Sequence, residues 1–292
     1  MARLFAASEL EQLAVSPKEE VATALARGGA PGATETLVQL LVAFRNVIRG
    51  YAVWAALVQG HLAQQGSPRG SSGGLEVEDA WRVARFHDVT DADLERARRP
   101  VDHDVDEVVA SRDPLRKYDE IEASYRRLHD AHRDWASALL SAVYRRGGVD
   151  DLEACLRLIG EKTLLRWMVL DLAEEPVARL RTWASLLRAN FARITIDEDD
   201  DAFTIHQDPC GSCTRQVLAG CYGPPLDLAV VREAHPITYG AGDLPVYRCH
   251  VAAIHVMMAT ERTGRPWPRH QCPPHDGAGV CTIRLDKEPA RS

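Results

Sequence analysis

Apolar residues recur three and four positions apart through the first two-thirds of the chain, the spacing of helices that bury one face. From Thr34 to about Gln65, the stripe Leu37, Leu40, Leu41, Phe44, Ile48, Tyr51, Ala55, Val58 and Leu62 predicts one long helix in need of a partner surface. A longer one is expected from Asp113-Pro114 to about Arg146, with Leu115, Tyr118, Ile121, Tyr125, Leu128, His132, Trp135, Leu139 and Val143 on its buried side and Gly147-Gly148 as its stop. Ser8 with Glu11 and Ser16 with Glu19 fit capping boxes, so two short helices should open the chain, the second ending at Gly28-Gly29. Further helices are expected over 77–86, after Thr90, and over 151–159, 161–172 and 176–192. The stretch 98–111, with Pro100 and Asp102-His103-Asp104, reads as loop. Residues 66–74, rich in Gly and Ser, have too little apolar area to offset ordering and read as a flexible linker.

Past Phe191 the period falls to two. Arg193-Ile194-Thr195-Ile196 and Ala202-Phe203-Thr204-Ile205, separated by an acidic turn, predict a hairpin. A strand at Val246-Tyr247-Arg248, a helix from His250 to Arg262 stopped by Gly264, and a last strand from Val280 to Leu285 follow. The expected fold class is mainly α: an irregular helical bundle over 1–192, then a small Cys/His-rich α+β module over 193–292, treble-clef-like or zinc-ribbon-like. A module with so few ordered apolar residues is expected to need a metal staple.

A length of 292 residues suits about two domains, and 46% hydrophobic with 26% charged residues excludes a disordered or fibrous chain. The net charge of -7 is spread evenly, without a basic face, which disfavours nucleic acid and anionic membrane as partners. The apolar run Tyr51 to Val58 is far shorter than the roughly 20 residues of a membrane span. Ser8 and Glu9 arrive before any signal-peptide core, so a cytoplasmic location is expected. Only Lys18, Lys117, Lys162 and Lys287 among the 35 basic residues are lysines, which suggests a GC-rich bacterial genome.

The chemistry concentrates near the end. Cys210, Cys213, Cys221, Cys249, Cys272 and Cys281 fall between residues 206 and 281, with His206, His235, His250, His255, His270 and His275. Cys210-Gly211-Ser212-Cys213, directly after the second hairpin strand, turns two sulfurs to one side of a tight loop, an arrangement suited to zinc or a redox dithiol. Cys249-His250 stands where a strand enters a helix, and Cys281, or Cys272 in the Pro-rich loop, can add a donor. The expected ligand set is Cys210, Cys213, His250 and Cys281, for which zinc is the first choice and iron the second. Thr214 stands where a c-type haem motif has histidine, which argues against haem. His206 and Asp208, beside the turn, are the expected proton-transfer groups, with Arg215, His235 and Tyr239 as further polar candidates.

Other chemistry-bearing residues read as structural. His255 lies about 140° around an α-helix from His250 and should not share its ion. His270 and His275 read as exposed, Cys155 as core and Cys221 as loop filler. His129 and His132 lack a second Glu-x-x-His pair, so His132 is expected in the core and His129 in solvent. Trp54, Trp81, Trp135, Trp167 and Trp183 are expected in the bundle core. No phosphate-loop, dinucleotide or nucleophile-elbow motif occurs. The sequence points to a metal-dependent enzyme acting on a small molecule at the junction of bundle and module. A binding or regulatory protein with a purely structural zinc competes with it. So does a metal-free enzyme in which His206 or His250 activates Cys210 and Cys213 resolves.

Overall fold

The computed structural model describes residues 3–64, 80–271 and 280–287. The expected linker at 66–74, the start of the helix expected at 77, Cys272 and His275 lie outside them. The chain is mostly helical with a small antiparallel sheet.

Helices α1 (Ala7–Ala14), α2 (Pro17–Gly32) and α3 (Thr34–Gln64) open the chain. The α1 cap is Ala6, two residues before Ser8; Glu9 Oε2 accepts the Ala6 N–H at 2.7 Å, so the carboxylate alone secures the turn. Ser16 caps α2 as its sequence implies, and Gly29, at φ 62°, breaks it. Every stripe residue named for α3 is buried. By length and composition α3 is long and apolar enough to cross a membrane, although half of its most apolar window is buried inside the protein. Run length conceals this, because Gly50 and Gln59 interrupt the apolar run without adding charge.

Residues 80–86 form α4, followed by α5 (Asp91–Arg98), α6 (Val101–Val109) and α7 (Pro114–Ile159). The segment expected as loop is therefore helical. Asp104 enters the interior because Arg45, Arg96 and Arg99 all bond its carboxylate, while Val105 and Val108 pack into the core. Asp113 caps α7 through the Arg116 N–H, and the helix runs on past a break at Gly148, φ 76°. A π-helical turn, Gly160–Leu164, leads to α8 (Leu165–Ala173) and α9 (Pro176–Ala189). Trp81 is 58% exposed rather than core.

The expected hairpin is β1 (Ile194–Glu198) with β2 (Ala202–Gln207). It is followed by α10 (Cys213–Leu218), the short pair β3 (Val230–Val231) and β4 (Leu244–Pro245), then β5 (Arg269–Gln271) and β6 (Cys281–Asp286). The larger sheet is antiparallel in the order β1-β2-β6-β5, with Ile205 paired to both Ile196 and Ile283. Val246–Arg248 is a 3-10 turn instead of a strand; all three residues are buried, without the in-out alternation of a half-buried strand. A π-helix, Val251–Met258, continues into α11 (Ala259–Thr263), which ends at Gly264 with φ 76°.

Helices and sheet share one core. Tyr51, Trp54, Leu139 and Trp183 pack in the same apolar cluster as Ile194, Phe203, Ile254 and Ile283. The closest approach is at the β2–α10 loop, where a Cβ on Gly211 would stand 1.7 Å from the Asn190 carbonyl oxygen. Both partners are backbone, so no rotamer change relieves the clash. Gly211→Ala should destabilise the protein by about 3 kcal/mol; a urea midpoint equal to wild type would show that the loop is not held against Asn190.

Candidate functional site

A cavity of about 750 Å³ opens between α3, α9, the β2–α10 loop, β6 and the π-helix. Each element reaches it for a local reason. The α3 stripe brings Tyr51 and Trp54, and β6 turns Cys281 and Ile283 inward. The β2–α10 loop brings Cys210, Gly211, Ser212 and Cys213, and the π-helix with its preceding residues brings Tyr247, His250 and His255. His270 on β5 completes the polar wall.

Cys210, Cys213 and Cys281 are buried there with their thiols associated. The Cys213 and then the Cys281 side chain hydrogen-bond to Cys210 and hold its thiol well below the ordinary value against the opposing effect of burial. The Thr214 N–H donates to Cys210 Sγ at 3.1 Å, and the Thr214 hydroxyl stands 3.3 Å from Cys210 Sγ and 3.5 Å from Cys281 Sγ. This half of the wall therefore favours thiolate.

The imidazoles face the same space. His250 Nδ1 is bonded to the Tyr247 carbonyl, and His255 Nδ1 lies 2.9 Å from the Trp267 carbonyl. A carbonyl accepts only, so each ring carries its proton on Nδ1 and keeps the Nε2 lone pair for another partner. The rings of His250 and His255 are 5.8 Å apart, and those of His255 and His270 are 4.7 Å apart. His270 Nε2 is buried without a hydrogen-bond partner among the described residues. Burial pushes His250 down to about 3, helped by His255, and His255 down to about 4; His270 is lowered as well. Neutral imidazoles are the ligand form.

The structure thus brings Cys210, Cys213, His250 and Cys281 to one cavity. It adds His255 and His270, which the sequence reading set aside. His255 was discounted on α-helical geometry, whereas a π-helix turns i and i+5 toward one side. Cys249 is buried but turns its sulfur toward the Pro245 carbonyl, 3.9 Å away, leaving His250 as the member of the pair that faces the cavity. His206 and Asp208 are not brought in: they line a separate concavity on the other side of the hairpin, and His206 is bonded to Asp197 at 2.9 Å. Arg215 pairs with Asp130, His235 with Asp150, and Tyr239 is exposed.

Behind the cavity His129, expected in solvent, is in the core, and His132, expected in the core, is only partly covered. His129 is wholly buried, stacked edge-on against Tyr51 and Phe191, with Asp130 Oδ1 2.9 Å from Nδ1. His132 is half-buried, its Nδ1 on the Leu128 carbonyl. Asn190 joins the two regions, accepting from Tyr51 Oη at 3.1 Å, while Tyr247 Oη donates to Tyr51 Oη at 3.2 Å.

Among the described residues, the one group whose ligand atoms lie close enough together to hold a metal ion is not at the cavity. The ligand atoms of His87, Asp134 and Cys221 are within 4.8 Å of one another, close enough to hold a metal ion. The Asp134 carboxylate already accepts from Arg133 at 2.7 and 2.9 Å and from Gln216 at 2.6 Å. No family model matches the chain, and no curated protein or solved structure matches it.

One consequence concerns acid stability of metal-free protein. In the unfolded chain His250 and His255 take up a proton near pH 6.5; in the fold they do so only near 3 and 4. Over that interval the unfolded state binds more protons, so stability present in full above pH 6.5 falls as pH drops to about 3. The fall from His255 alone is up to about 3 kcal/mol. Urea titrations at several pH values should show this loss, and His255→Gln should make it shallower; parallel profiles would refute the assignment.

Proposed function

We propose that the chain is a metal-dependent enzyme acting on a small molecule in this cavity, with Cys210, Cys213, His250 and Cys281 as the ligands. The observation that carries the reading is the meeting of three associated thiols and three neutral imidazoles on one cavity wall. Thiolate and imidazole donors suit zinc first and iron second. In this reading the Cys210–Cys213 turn at the start of α10 is the knuckle of a ribbon-like metal-binding module, and Cys281 on β6 is its opposite arm. Held by these residues, a metal ion would supply polarisation of a substrate oxygen or activation of water. His255 and His270, surplus to a four-ligand site, supply proton transfer in place of the more distant His206 and Asp208. A cavity of about 750 Å³ is more than a structural staple needs and lies within the size range of small-molecule sites.

A metal-free reading has its own support, the Thr214 N–H that stabilises a Cys210 thiolate. Elemental analysis separates the two. We expect about one equivalent of zinc or iron per folded chain, lost in Cys210→Ser, Cys213→Ser and Cys281→Ser and retained in His206→Ala and Asp208→Asn, with far-UV circular dichroism reporting on folding. Unchanged metal content in the three cysteine variants sinks the ligand assignment. Metal-free wild-type protein in which iodoacetamide alkylates Cys210 selectively favours the nucleophile reading.

A further inference from the structure

We infer that the ligand of this cavity is an aromatic carboxylate, its ring held among the aromatic walls and its anion received by Arg181 at the mouth. The inference rests on the small-molecule reading above, and it names the ligand class from the non-metal walls.

Arg181 is the only residue lining the cavity, among those described, that carries a fixed charge; no Asp, Glu or Lys lines it. In a chain with net charge -7 that selection matters. A cationic ligand meets no carboxylate inside, whereas an anion meets at the mouth one guanidinium that makes no ion pair with a described residue. Arg181 is exposed on α9 next to Thr182, with Ser185 one turn further on, so the charge stands at the rim instead of the floor. Gln207, on the inner wall, is buried, and its amide has no partner among the described residues, leaving one donor and one acceptor for the ligand.

The polar atoms of Trp183, Tyr51 and Tyr247 are already engaged, which leaves those rings as apolar surfaces. The Trp183 indole N–H donates to Asp171 at 3.0 Å. The Tyr51 and Tyr247 hydroxyls are engaged with Asn190 and with each other. Trp54 and Tyr247 lie with centroids 6.2 Å apart on one side, and Trp167 and Trp183 at 5.0 Å on another. Aromatic side chains in both places along the lining favour an aromatic ligand through dispersion and offset stacking.

Calorimetric titration of the full-length protein with naphthoate, its alcohol and amine counterparts, and its saturated ring analogue tests this, on metal-loaded and chelator-treated samples. Naphthoate should bind about tenfold tighter than the alcohol and tighter still than the amine, and more tightly than the saturated acid. Arg181→Gln, an exposed substitution, should erase the preference for acid over alcohol while leaving alcohol binding unchanged. Equal affinity for acid and alcohol in wild type, or undiminished preference in Arg181→Gln, overturns the inference. So does equal binding of the flat and saturated acids. A preference that vanishes on chelation and survives in Arg181→Gln places the carboxylate on a metal and also overturns it. A preference set by Arg181 in protein that contains no metal upholds the inference while the metal reading fails.

Discussion

The guanidinium of Arg133 is the point on which the interior turns. It is wholly buried on α7, where an unpaired charge would cost several kcal/mol. Asp134 meets it with both carboxylate oxygens, and Nη1 donates to Asp130 at 2.9 Å and to the Gly211 carbonyl at 3.1 Å. That final contact fixes the cysteine turn against α7. Its opposite face is limited by the Asn190 main chain, so the turn is held between a charge-assisted hydrogen bond and a close backbone contact. The two carboxylates spread the network outward, Asp130 to His129 and Arg215, and Asp134 to His87, Gln216 and Cys221. Burial works to raise Asp130, but Arg133 and then His129 bring it down to about 2, so it remains ionised.

The same network weighs against an ion at His87, Asp134 and Cys221. An ion beside Asp134 would share the carboxylate with Arg133. At about 4 Å and an effective dielectric near 20, each unit of its charge is repelled by about 4 kcal/mol. The His87, Asp134 and Cys221 contacts are already those of a satisfied hydrogen-bond network, and burial, with Asp134 close by, raises the Cys221 thiol away from the ligating form. Around the cavity the balance reverses: Cys210 is lowered, the imidazoles are neutral, and the one guanidinium lining it is at the rim.

Much of the helical part is legible because burial and periodicity there have one cause. The α3 stripe, the Asp113 cap and the break at Gly148 follow from side-chain spacing and backbone permissiveness alone. The errors arise where polar residues are neutralised by partners distant in sequence. Asp104 looks like loop until Arg45, some sixty positions earlier, is seen to bond it. His129 looks solvated until Asp130, Tyr51 and Asn190 surround it. At the site, clustering of Cys and His near the carboxy end signals the region, and four of the named residues meet at the cavity. Which side of the hairpin they face does not follow from proximity in sequence: strand alternation puts Gln207 on the cavity side and its neighbours His206 and Asp208 on the other.

His255 is the instructive case, because the discount applied to it is correct for an α-helix. Winding eight residues as a π-helix, from Val251 to Met258, gives poorer hydrogen-bond packing than α, so something must compensate. One support is lateral. The other π-helical turn begins at Gly160, which lies so close that an added Cβ would stand 2.7 Å from Met258 Sδ. A second is the reciprocal pair in which the Trp267 N–H donates to the His255 carbonyl at 2.8 Å while His255 Nδ1 bonds the Trp267 carbonyl. Trp267 is itself fixed by its indole N–H on Asp171 at 2.6 Å. These contacts hold the wide winding, and its product is the pair of imidazoles at i and i+5, each oriented by a carbonyl and each presenting Nε2.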